Sequence, residues 1–99
     1  NVVGIGDMKA QTRQILDNID ISLRAAGASR AEVVRINVYT LDTKDYLADG
    51  APEVIAFFRD TKPCSTTVQV SGLVHPDWVV EIEATAVIGW SVLLAIPTE

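Results

Sequence analysis

The chain has 99 residues, 48% of them hydrophobic, and a formal net charge of −5. We interpret residues 1–99 as a single domain. The acidic balance argues against a nucleic-acid or anionic-membrane surface, which needs clustered Lys and Arg side chains. The sequence contains one cysteine, Cys64, which excludes an internal disulfide and favours a reducing compartment, so we expect a cytoplasmic protein. No apolar run is long enough to span a bilayer.

The first predicted element is a long amphipathic helix over residues 8–26. Its apolar residues recur at steps of three and four and form one stripe, and Asp7 precedes them as the N-cap. Gly27 is a natural residue to end this helix. Ser29 and Glu32 have capping-box spacing, which predicts a single helical turn before the next strand.

A strand and a second helix follow. Residues 33–41 alternate between apolar and polar side chains, as in a strand with one buried face. The apolar side carries Val34, Ile36 and Val38, and the polar side carries Arg35, Asn37 and Tyr39. The second helix begins near Pro52, because proline suits the first helical position. Its predicted core-facing residues are Val54, Ile55, Phe57 and Phe58.

Residues 62–87 predict two further amphipathic strands, joined by a loop at residues 75–77. In the first strand the more apolar side is Cys64, Thr66, Val68 and Val70, and the polar side is Ser65, Thr67, Gln69 and Ser71. In the second strand Trp78, Val80, Ile82, Ala84 and Ala86 lie opposite Val79, Glu81, Glu83 and Thr85. From this alternation we expect Cys64 to be a buried, unreactive thiol. We expect His75, which lies in the loop next to Pro76, to be an ordinary surface residue.

These elements predict a two-layer α+β sandwich, in which a mixed sheet carries two helices on one of its faces. The polar sides of the strands would then share the other face. That face would carry Arg35, Asn37, Tyr39, Ser65, Thr67, Gln69, Glu81 and Glu83. It is either open to water or lines the interior of an oligomer, and a domain this small gains from assembly with copies of itself.

The run KPCSTTVQVSGL, residues 62–73, followed by VEIEATA, residues 80–86, resembles the Rid (YjgF/YER057c/UK114) family. The corresponding family run is K-P-A-R-S-x-V-x-V-x-x-L, a short loop and V-E-I-E-A-x-A. Residues 10–19, 25–29 and 33–42 extend the resemblance in order. It implies a chorismate-mutase-like fold and a homotrimer with pockets between subunits. The best-known members deaminate reactive imines and enamines, and we expect no metal or other cofactor.

Both ends of the chain depart from the family pattern. Family members usually carry a hairpin before the first helix, so we expect a divergent, apparently N-terminally shortened member: either the chain is a fragment or truncated form, or those strands are absent. They typically stop near Val87, whereas residues 88–99 form a family-atypical apolar tail. An exposed apolar run is an aggregation hazard. We therefore expect an additional strand here, either in the space of the missing hairpin or on a neighbour's sheet edge, with Trp78 and Trp90 as packing residues.

The resemblance also assigns site residues, position by position. The family arginine that clamps a substrate carboxylate falls on Ser65, the next small residues fall on Thr66 and Thr67, and the glutamate that orients the attacking water falls on Glu81. A serine has one hydroxyl and no charge, so it cannot replace the guanidinium clamp. Arg35 could offer a cation to a ligand instead, or it could pair with a carboxylate of the neighbouring strand.

Three functions remain open. The first is a Rid-type hydrolase of imines or enamines at an intersubunit pocket, with Glu81 positioning water and with Ser65, Thr66, Thr67 and Arg35 holding the substrate. The second is a non-catalytic homologue that binds a small metabolite, which the loss of the arginine favours. The third is an endoribonuclease or translation inhibitor, which an acidic chain without a basic run argues against.

Overall fold

A computed structural model of the chain describes residues 4–89 and, for its backbone, residues 91–95. In chain order the elements are α1 (Met8–Ala25), a 3-10 turn (Arg30–Glu32), β1 (Val33–Thr40), α2 (Thr43–Asp45), a π-helical turn (Tyr46–Gly50), α3 (Ala51–Phe58), a second 3-10 turn (Arg59–Thr61), β2 (Cys64–Gln69), β3 (Val80–Ile88) and β4 (Ser91–Ala95). None of the helices in these ranges has the length and apolar character needed to cross a membrane.

The sheet has the strand order β2-β1-β3-β4 within the described residues. β1 and β2 are parallel, and the helical segment that contains α2 and α3 connects them, because parallel neighbours need a crossover. β1 pairs antiparallel with β3, and β3 pairs antiparallel with β4. α1 and α3 pack against one face of this mixed sheet, so the predicted two-layer α+β sandwich is confirmed.

The core lies between the helices and alternate residues of the two central strands. The fully buried strand residues are Ile36, Val38, Thr40, Val80, Ile82, Ala84 and Ala86. This pattern confirms the alternation predicted for β3. At the start of β1 the burial differs from prediction, because Val33 is buried and Val34 is 48% exposed. The register with β3 shifts between Val33 and Arg35, and the extra residue of this bulge turns Val34 out of the core.

α1 begins and ends where the sequence predicts. The Asp7 carboxylate accepts a hydrogen bond from the Ala10 amide at 3.0 Å and so caps the first turn. Gly27 follows the last turn with φ +79°, a conformation that glycine adopts without steric strain. Ser29 and Glu32 form the predicted capping box on the short 3-10 turn. The buried stripe of α1 consists of Met8, Gln11, Thr12, Ile15, Leu16, Ile19 and Leu23.

α3 is short and buries one side only. It follows the π-helical turn, where the Tyr46 side chain is buried and a Cβ on Gly50 would lie 2.6 Å from Tyr46 Cδ1. Val54 and Phe58 are buried as predicted, but Ile55 is 70% exposed, so its prediction as a core residue is wrong. Neighbouring residues point about 100° apart on a helix. Burial of Val54 therefore leaves Ile55 at the edge of the packed surface.

The apolar tail contains the additional strand that the sequence predicts. β4 pairs antiparallel with β3, from Ile88 opposite Ser91 to Ala84 opposite Ala95. The strand thus extends the chain's own sheet. The expectation that Trp90 is a packing residue falls outside the described residues. Trp78 is buried, and its ring stacks on His75 with the centroids 5.5 Å apart.

Candidate functional site

Three rows of side chains cross the sheet face opposite the helices, which we call the open face. Residues directly opposite each other on neighbouring strands point to the same side of a sheet. From β2 through β1 to β3, the rows are Cys64, Arg35 and Thr85; Thr66, Asn37 and Glu83; and Val68, Tyr39 and Glu81. The two carboxylates therefore lie on one face, as predicted, next to Tyr39 and Asn37.

Glu83 is held by two hydrogen bonds on the open face. Its Oε1 atom accepts one from Asn37 Nδ2 at 3.0 Å and one from the Tyr39 hydroxyl at 2.8 Å. The hydrogen bond to Glu83, followed by desolvation and the negative charges of Glu83 and Glu81, raises the pKa of Tyr39 above its ordinary value. Tyr39 therefore acts as a neutral donor that fixes the Glu83 carboxylate in one orientation.

Glu81 is the less constrained carboxylate. It is half-buried and lies directly opposite Tyr39, but it makes no side-chain hydrogen bond or ion pair within residues 4–89. It lines a groove of about 560 Å³ that we call the open-face groove. Tyr39, Val70, Gly72, Leu73, Val74 and Glu83 line it as well. A carboxylate with free acceptor oxygens at a water-accessible groove can orient a water molecule or accept its proton.

Arg35 shares the open face with the two carboxylates but does not pair with them. Its cross-strand neighbours are Thr85 and Cys64, its side chain is exposed, and no ion pair joins it to Glu81 or Glu83 in the described part of the chain. The predicted pairing of Arg35 with a carboxylate is therefore not formed. Its guanidinium stays available on the same face as Glu81.

Each side chain of β2 points to the face of the sheet opposite to the one predicted for it. Ser65 lies opposite Ile36 and Thr67 opposite Val38, and both of those β1 residues are buried beneath the helices. Ser65 and Thr67 therefore point to the helix side. The prediction that they share a face with Glu81 is wrong. Every residue of this edge strand is exposed, so its alternation of polar and less polar side chains does not report which side faces the core.

The same reversal moves Cys64 and Thr66 onto the open face. Thr66 lies opposite Asn37, in the row that leads to Glu83, so it shares a surface with the carboxylates. Cys64 is an exposed free thiol in the row of Arg35, and the prediction of a buried thiol is wrong. His75 is half-buried and not a free surface residue, since its Nδ1 accepts a hydrogen bond from the Asp77 amide at 3.1 Å.

Ser65 and Thr67 line a second groove, between β2 and the π-helical turn and α3, which we call the helix-side groove. It has a volume of about 480 Å³. Its apolar lining consists of Ile36, Tyr46, Leu47, Ala51, Val54, Ile55, Phe58 and Pro63. Burial raises the pKa of Tyr46 to about 12, which shows how poorly this wall is solvated. Arg59 and Lys62 line the groove too, and sequence reasoning did not select either of them.

The predicted site residues thus divide between two grooves on opposite faces of one sheet. Glu81, Arg35 and Thr66 lie on the open face, whereas Ser65 and Thr67 lie on the helix side. A sheet side chain cannot reach through its own sheet, so one chain cannot bring all five residues onto one ligand. In residues 4–89, no group of three or more His, Cys, Asp or Glu side chains is arranged to hold a metal ion.

The α+β sandwich with this sheet order is that of a known class of small proteins. A member of the YjgF/YER057c/UK114 family from Mycobacterium tuberculosis superposes with a TM-score of 0.80 at 36% identity, over 88% of this chain and 74% of that chain. The Rid family protein YyfB from Yersinia pestis also gives a TM-score of 0.80, at 38% identity, over 87% of this chain and 66% of that chain.

The sequence comparisons agree with the fold. The family model for endoribonuclease L-PSP matches residues 1–88, and the chain belongs to this family, which includes the Rid proteins. It is 44% identical to a RutC family protein of Pyrococcus horikoshii over 82 residues, 82% of this chain and 63% of that protein. It is 39% identical over 87 residues to 3-aminoacrylate deaminase RutC of Acinetobacter baylyi, 87% of this chain and 67% of that protein. The chain thus spans 63% and 67% of the lengths of these two curated relatives.

Proposed function

We propose that the protein deaminates reactive imines or enamines by hydrolysis, at a site formed where two copies of the chain meet. The observation that carries this proposal is the contrast between the two carboxylates. Glu83 is bound by Tyr39 and Asn37, while Glu81 keeps its oxygens free at the edge of the open-face groove. Glu81 also stands at the family's glutamate position, and a relative at 39% identity is named as a deaminase.

The reaction needs one water molecule and one proton acceptor. Hydrolysis adds water to the carbon of a C=N bond, and collapse of the resulting carbinolamine releases ammonia and leaves a carbonyl group. An enamine enters the same route after a proton reaches its β-carbon and converts it to the imine. Glu81 would orient the water and accept its proton during the attack. Asn37, Tyr39 and Glu83 would keep the surrounding polar face in a fixed arrangement.

Two copies are needed because the site residues lie on opposite faces of the sheet. One copy would supply Glu81, Arg35 and Thr66 from its open face, and its neighbour would supply Ser65 and Thr67 from the helix-side groove. When the open face of each copy contacts the helix-side groove of the next copy, a closed ring leaves no copy without a partner. We therefore propose a homotrimer, cytoplasmic and without a cofactor, whose small-molecule substrate is bound between subunits.

A second candidate function is binding of a small metabolite without turnover. It is favoured by Ser65, which stands where the deaminating relatives' pattern has an arginine and carries no charge to hold a substrate carboxylate. Endoribonuclease activity, which the family model's name suggests, is disfavoured by the net charge of −5.

Turnover of freshly generated 2-iminopropanoate and of a neutral imine by the wild-type protein and by Glu81→Gln tests the proposal. Glutamine keeps the size of the side chain but cannot accept the proton, so we expect kcat to fall by about 100-fold. Asp17→Asn, an exposed substitution on α1, is the matched control and keeps wild-type turnover.

The outcomes separate the candidate functions. Turnover of either imine that is lost in Glu81→Gln but kept in Asp17→Asn supports the hydrolase. Binding of these compounds by a wild-type protein that hydrolyses neither of them contradicts it and leaves the metabolite-binding function. Turnover that is equal in wild type and Glu81→Gln removes Glu81 from the mechanism.

A further inference from the structure

The loop between β2 and β3, residues 70–79, forms one wall of the open-face groove. Val74 is 89% exposed, so the tip of this loop projects into solvent. The contacts that hold the loop in place therefore also hold one wall of the groove beside Glu81. The loop residues that line the groove are Val70, Gly72, Leu73 and Val74.

Both ends of the β2–β3 loop are tied to the end of β1. The Val70 amide donates to the Thr40 carbonyl at 2.9 Å, and the Leu41 amide donates to the Val79 carbonyl at 3.0 Å. Between these ties, residues 71–74 make no hydrogen bond within the described part of the chain. Segments with few hydrogen bonds open at a low free-energy cost. The position of the tip therefore depends on contacts made by the residues that follow it.

His75, the single histidine of the chain, makes these contacts. Its Nδ1 atom accepts a hydrogen bond from the Asp77 amide at 3.1 Å, and its carbonyl accepts one from the Trp78 amide at 3.1 Å. Its ring stacks on the buried Trp78 indole, with the two planes 25° apart. Because Nδ1 is an acceptor, the ring proton is on Nε2 and the imidazole is neutral. This arrangement of the loop thus requires the uncharged form of His75.

Protonation of His75 reverses the role of Nδ1. An imidazolium carries N–H donors on both nitrogens, so Nδ1–H would face the Asp77 amide and neither donor would have an acceptor there. The stack on Trp78 favours a cation, by about two- to fivefold at a partly exposed site. A partly buried donor left without its acceptor costs more than this gain. Protonation therefore weakens the turn that holds the tip.

A carboxylate paired with the imidazolium would oppose this effect. In the described part of the chain, no ion pair joins His75 to an acidic residue. Gln11 of α1 donates to the Asp77 carbonyl, so the start of α1 is one of the segments around the loop. The charged residues of the surrounding segments are Asp77 in the loop, Asp7 and Lys9 at the start of α1, Asp42 after β1, and Glu81 and Glu83 on β3.

The closed loop also buries a polar group without a partner. The Nε1–H group of Trp78 is buried and has no hydrogen-bond acceptor among the described residues. A buried donor without an acceptor destabilises the conformation that buries it. Movement of the stacked His75 ring would let water approach the indole and satisfy this donor. The closed loop is thus balanced against an open one, and loss of the His75 hydrogen bond shifts that balance.

We propose that His75 is a pH-sensitive latch on the β2–β3 loop. The neutral imidazole holds the loop closed beside the open-face groove, and protonation releases it. Histidine changes its charge between pH 5 and 8, so the loop is closed at the upper end of this range and open at the lower end. As the pH falls, a ligand in the groove loses the apolar wall that the loop supplies, while β3 keeps Glu81 in place.

As regulation of deamination, the inference rests on the proposed function. The loop transition itself does not, because it is measured without a substrate. A loop that opens at low pH in a protein that deaminates no imine leaves the latch standing and removes the deaminase. Turnover that depends on Glu81, in a protein whose loop does not respond to pH, does the reverse.

Amide hydrogen exchange measured by NMR between pH 5 and 8 tests the latch in the wild-type protein. Rates are divided by those of an unfolded chain at the same pH, so the intrinsic pH dependence of exchange cancels. We expect the protection of the Asp77 and Trp78 amides to fall by about tenfold from pH 8 to pH 5. The Trp78 indole N–H should exchange faster with water, and the signals of residues 71–74 should shift. Residues 36–40 of β1 should keep their protection.

Variants separate the titrating group from its surroundings. His75→Asn keeps an acceptor for the amide two residues on, as in an Asx-turn, but does not titrate, so protection of Asp77 should stay high across the range. His75→Ala has no acceptor and should show at pH 8 the low protection that the wild type shows at pH 5. Asp77→Asn is the matched control, since it removes a nearby carboxylate, keeps the backbone amide and should retain the wild-type response.

Four results would overturn the proposal. Protection of Asp77 that is equal at pH 8 and pH 5 would mean that His75 does not control the loop. A pH response that persists in His75→Asn would assign the transition to another group. Loss of the response in Asp77→Asn would show that a carboxylate, and not the hydrogen bond to Nδ1, governs it. An equal loss of protection in β1 would identify acid unfolding of the whole domain.

Discussion

The two carboxylates of β3, which are two residues apart, differ in the hydrogen bonds that they accept. Glu83 receives hydrogen bonds from Asn37 and Tyr39, whereas Glu81 has no such donor within residues 4–89. Two hydrogen bonds from neighbouring side chains fix the position of a carboxylate, so Glu83 suits a structural role. The difference between the two carboxylates follows from the strand register, because Tyr39 stands opposite Glu81 but donates diagonally to Glu83.

The two tyrosines of the chain give a titration that tests these surroundings. The hydrogen bond to Glu83 raises the pKa of Tyr39, and burial raises the pKa of Tyr46 to about 12. Above an ordinary tyrosine pKa of 10.0, the unfolded chain loses phenol protons that the folded chain keeps. We therefore expect the free energy of unfolding to fall as pH rises from about 10 towards 12, and to be insensitive to these groups below pH 10.

Denaturant unfolding at a series of pH values measures this dependence, and phenolate absorbance follows the titration itself. Tyr46→Phe should flatten the alkaline decline, because phenylalanine fills the same space without a titrating group. Tyr39→Phe should remove one of the two phenolate transitions and leave that of Tyr46. An alkaline decline of equal slope in Tyr46→Phe would show that burial of Tyr46 does not govern it.

At the scale of elements, one buried side chain links α1 to the start of β3. Gln11 is fully buried, its Nε2 donates to the Asp77 carbonyl at 2.9 Å and the Gly4 carbonyl at 3.2 Å, and its Oε1 accepts from the Val79 amide at 2.9 Å. Buried backbone groups that lose their partners are costly. This side chain therefore fixes how the helix layer sits on the sheet that carries Glu81.

Gln11→Ala should lower the free energy of unfolding by about 3 kcal/mol, since it leaves these backbone groups without partners and opens a cavity. Gln14→Ala, one helical turn away and half-buried, is the control and should change stability by less than about 0.5 kcal/mol. Urea unfolding followed by circular dichroism measures both. Equal losses in the two variants would mean that general helix effects, and not the hydrogen bonds of Gln11, account for the lower free energy of unfolding.

The elements that sequence reasoning predicted well are those whose pattern is imposed by burial. α1 and β3 each bury one regular stripe, so their apolar spacing predicted which side of each element faces the core. β2 is an exposed edge strand, and its sequence carries no such signal, so Ser65 and Thr67 were assigned to the wrong face. Only the register with β1, a long-range pairing, sets that face.

The residues that sequence reasoning missed lie where the chain is irregular. Arg59 and Lys62 occupy a turn between α3 and β2, where neither helical nor strand periodicity applies. They line one groove with Ser65, and the crossover that makes β2 parallel to β1 places the other wall of that groove opposite them. The available signal was the pair Arg59 and Asp60 just before the family motif, with Lys62 as the motif's first residue, but these residues indicate charge without indicating which groove the charge lines.

At the scale of the whole molecule, the candidate site residues form two half-sites on opposite faces of one sheet. The open-face groove holds the carboxylate chemistry and the helix-side groove holds the hydroxyls and the two cations. In the proposed mechanism each half-site is incomplete, because Glu81 would activate the water and the groove of another copy would anchor the substrate. The exposed β2 edge between the half-sites leaves backbone hydrogen-bonding groups that a neighbour can cover.

Mixed oligomers test whether the two half-sites meet between chains. Ser65→Trp blocks the helix-side groove and Glu81→Gln removes the proton acceptor, so each variant alone should be inactive. In an equal mixture assembled by co-expression, a groove that is intact in one copy meets a Glu81 that is intact in the next at about a quarter of the sites, so about a quarter of the wild-type turnover should return. Co-expression of the wild type with the doubly substituted chain is the control. The two chains form mixed oligomers, but the doubly substituted chain supplies neither half-site. No recovery in the mixture, with mixed oligomers confirmed by tagging the two chains differently, would mean that no active site draws on both copies. The two grooves would then serve separate purposes.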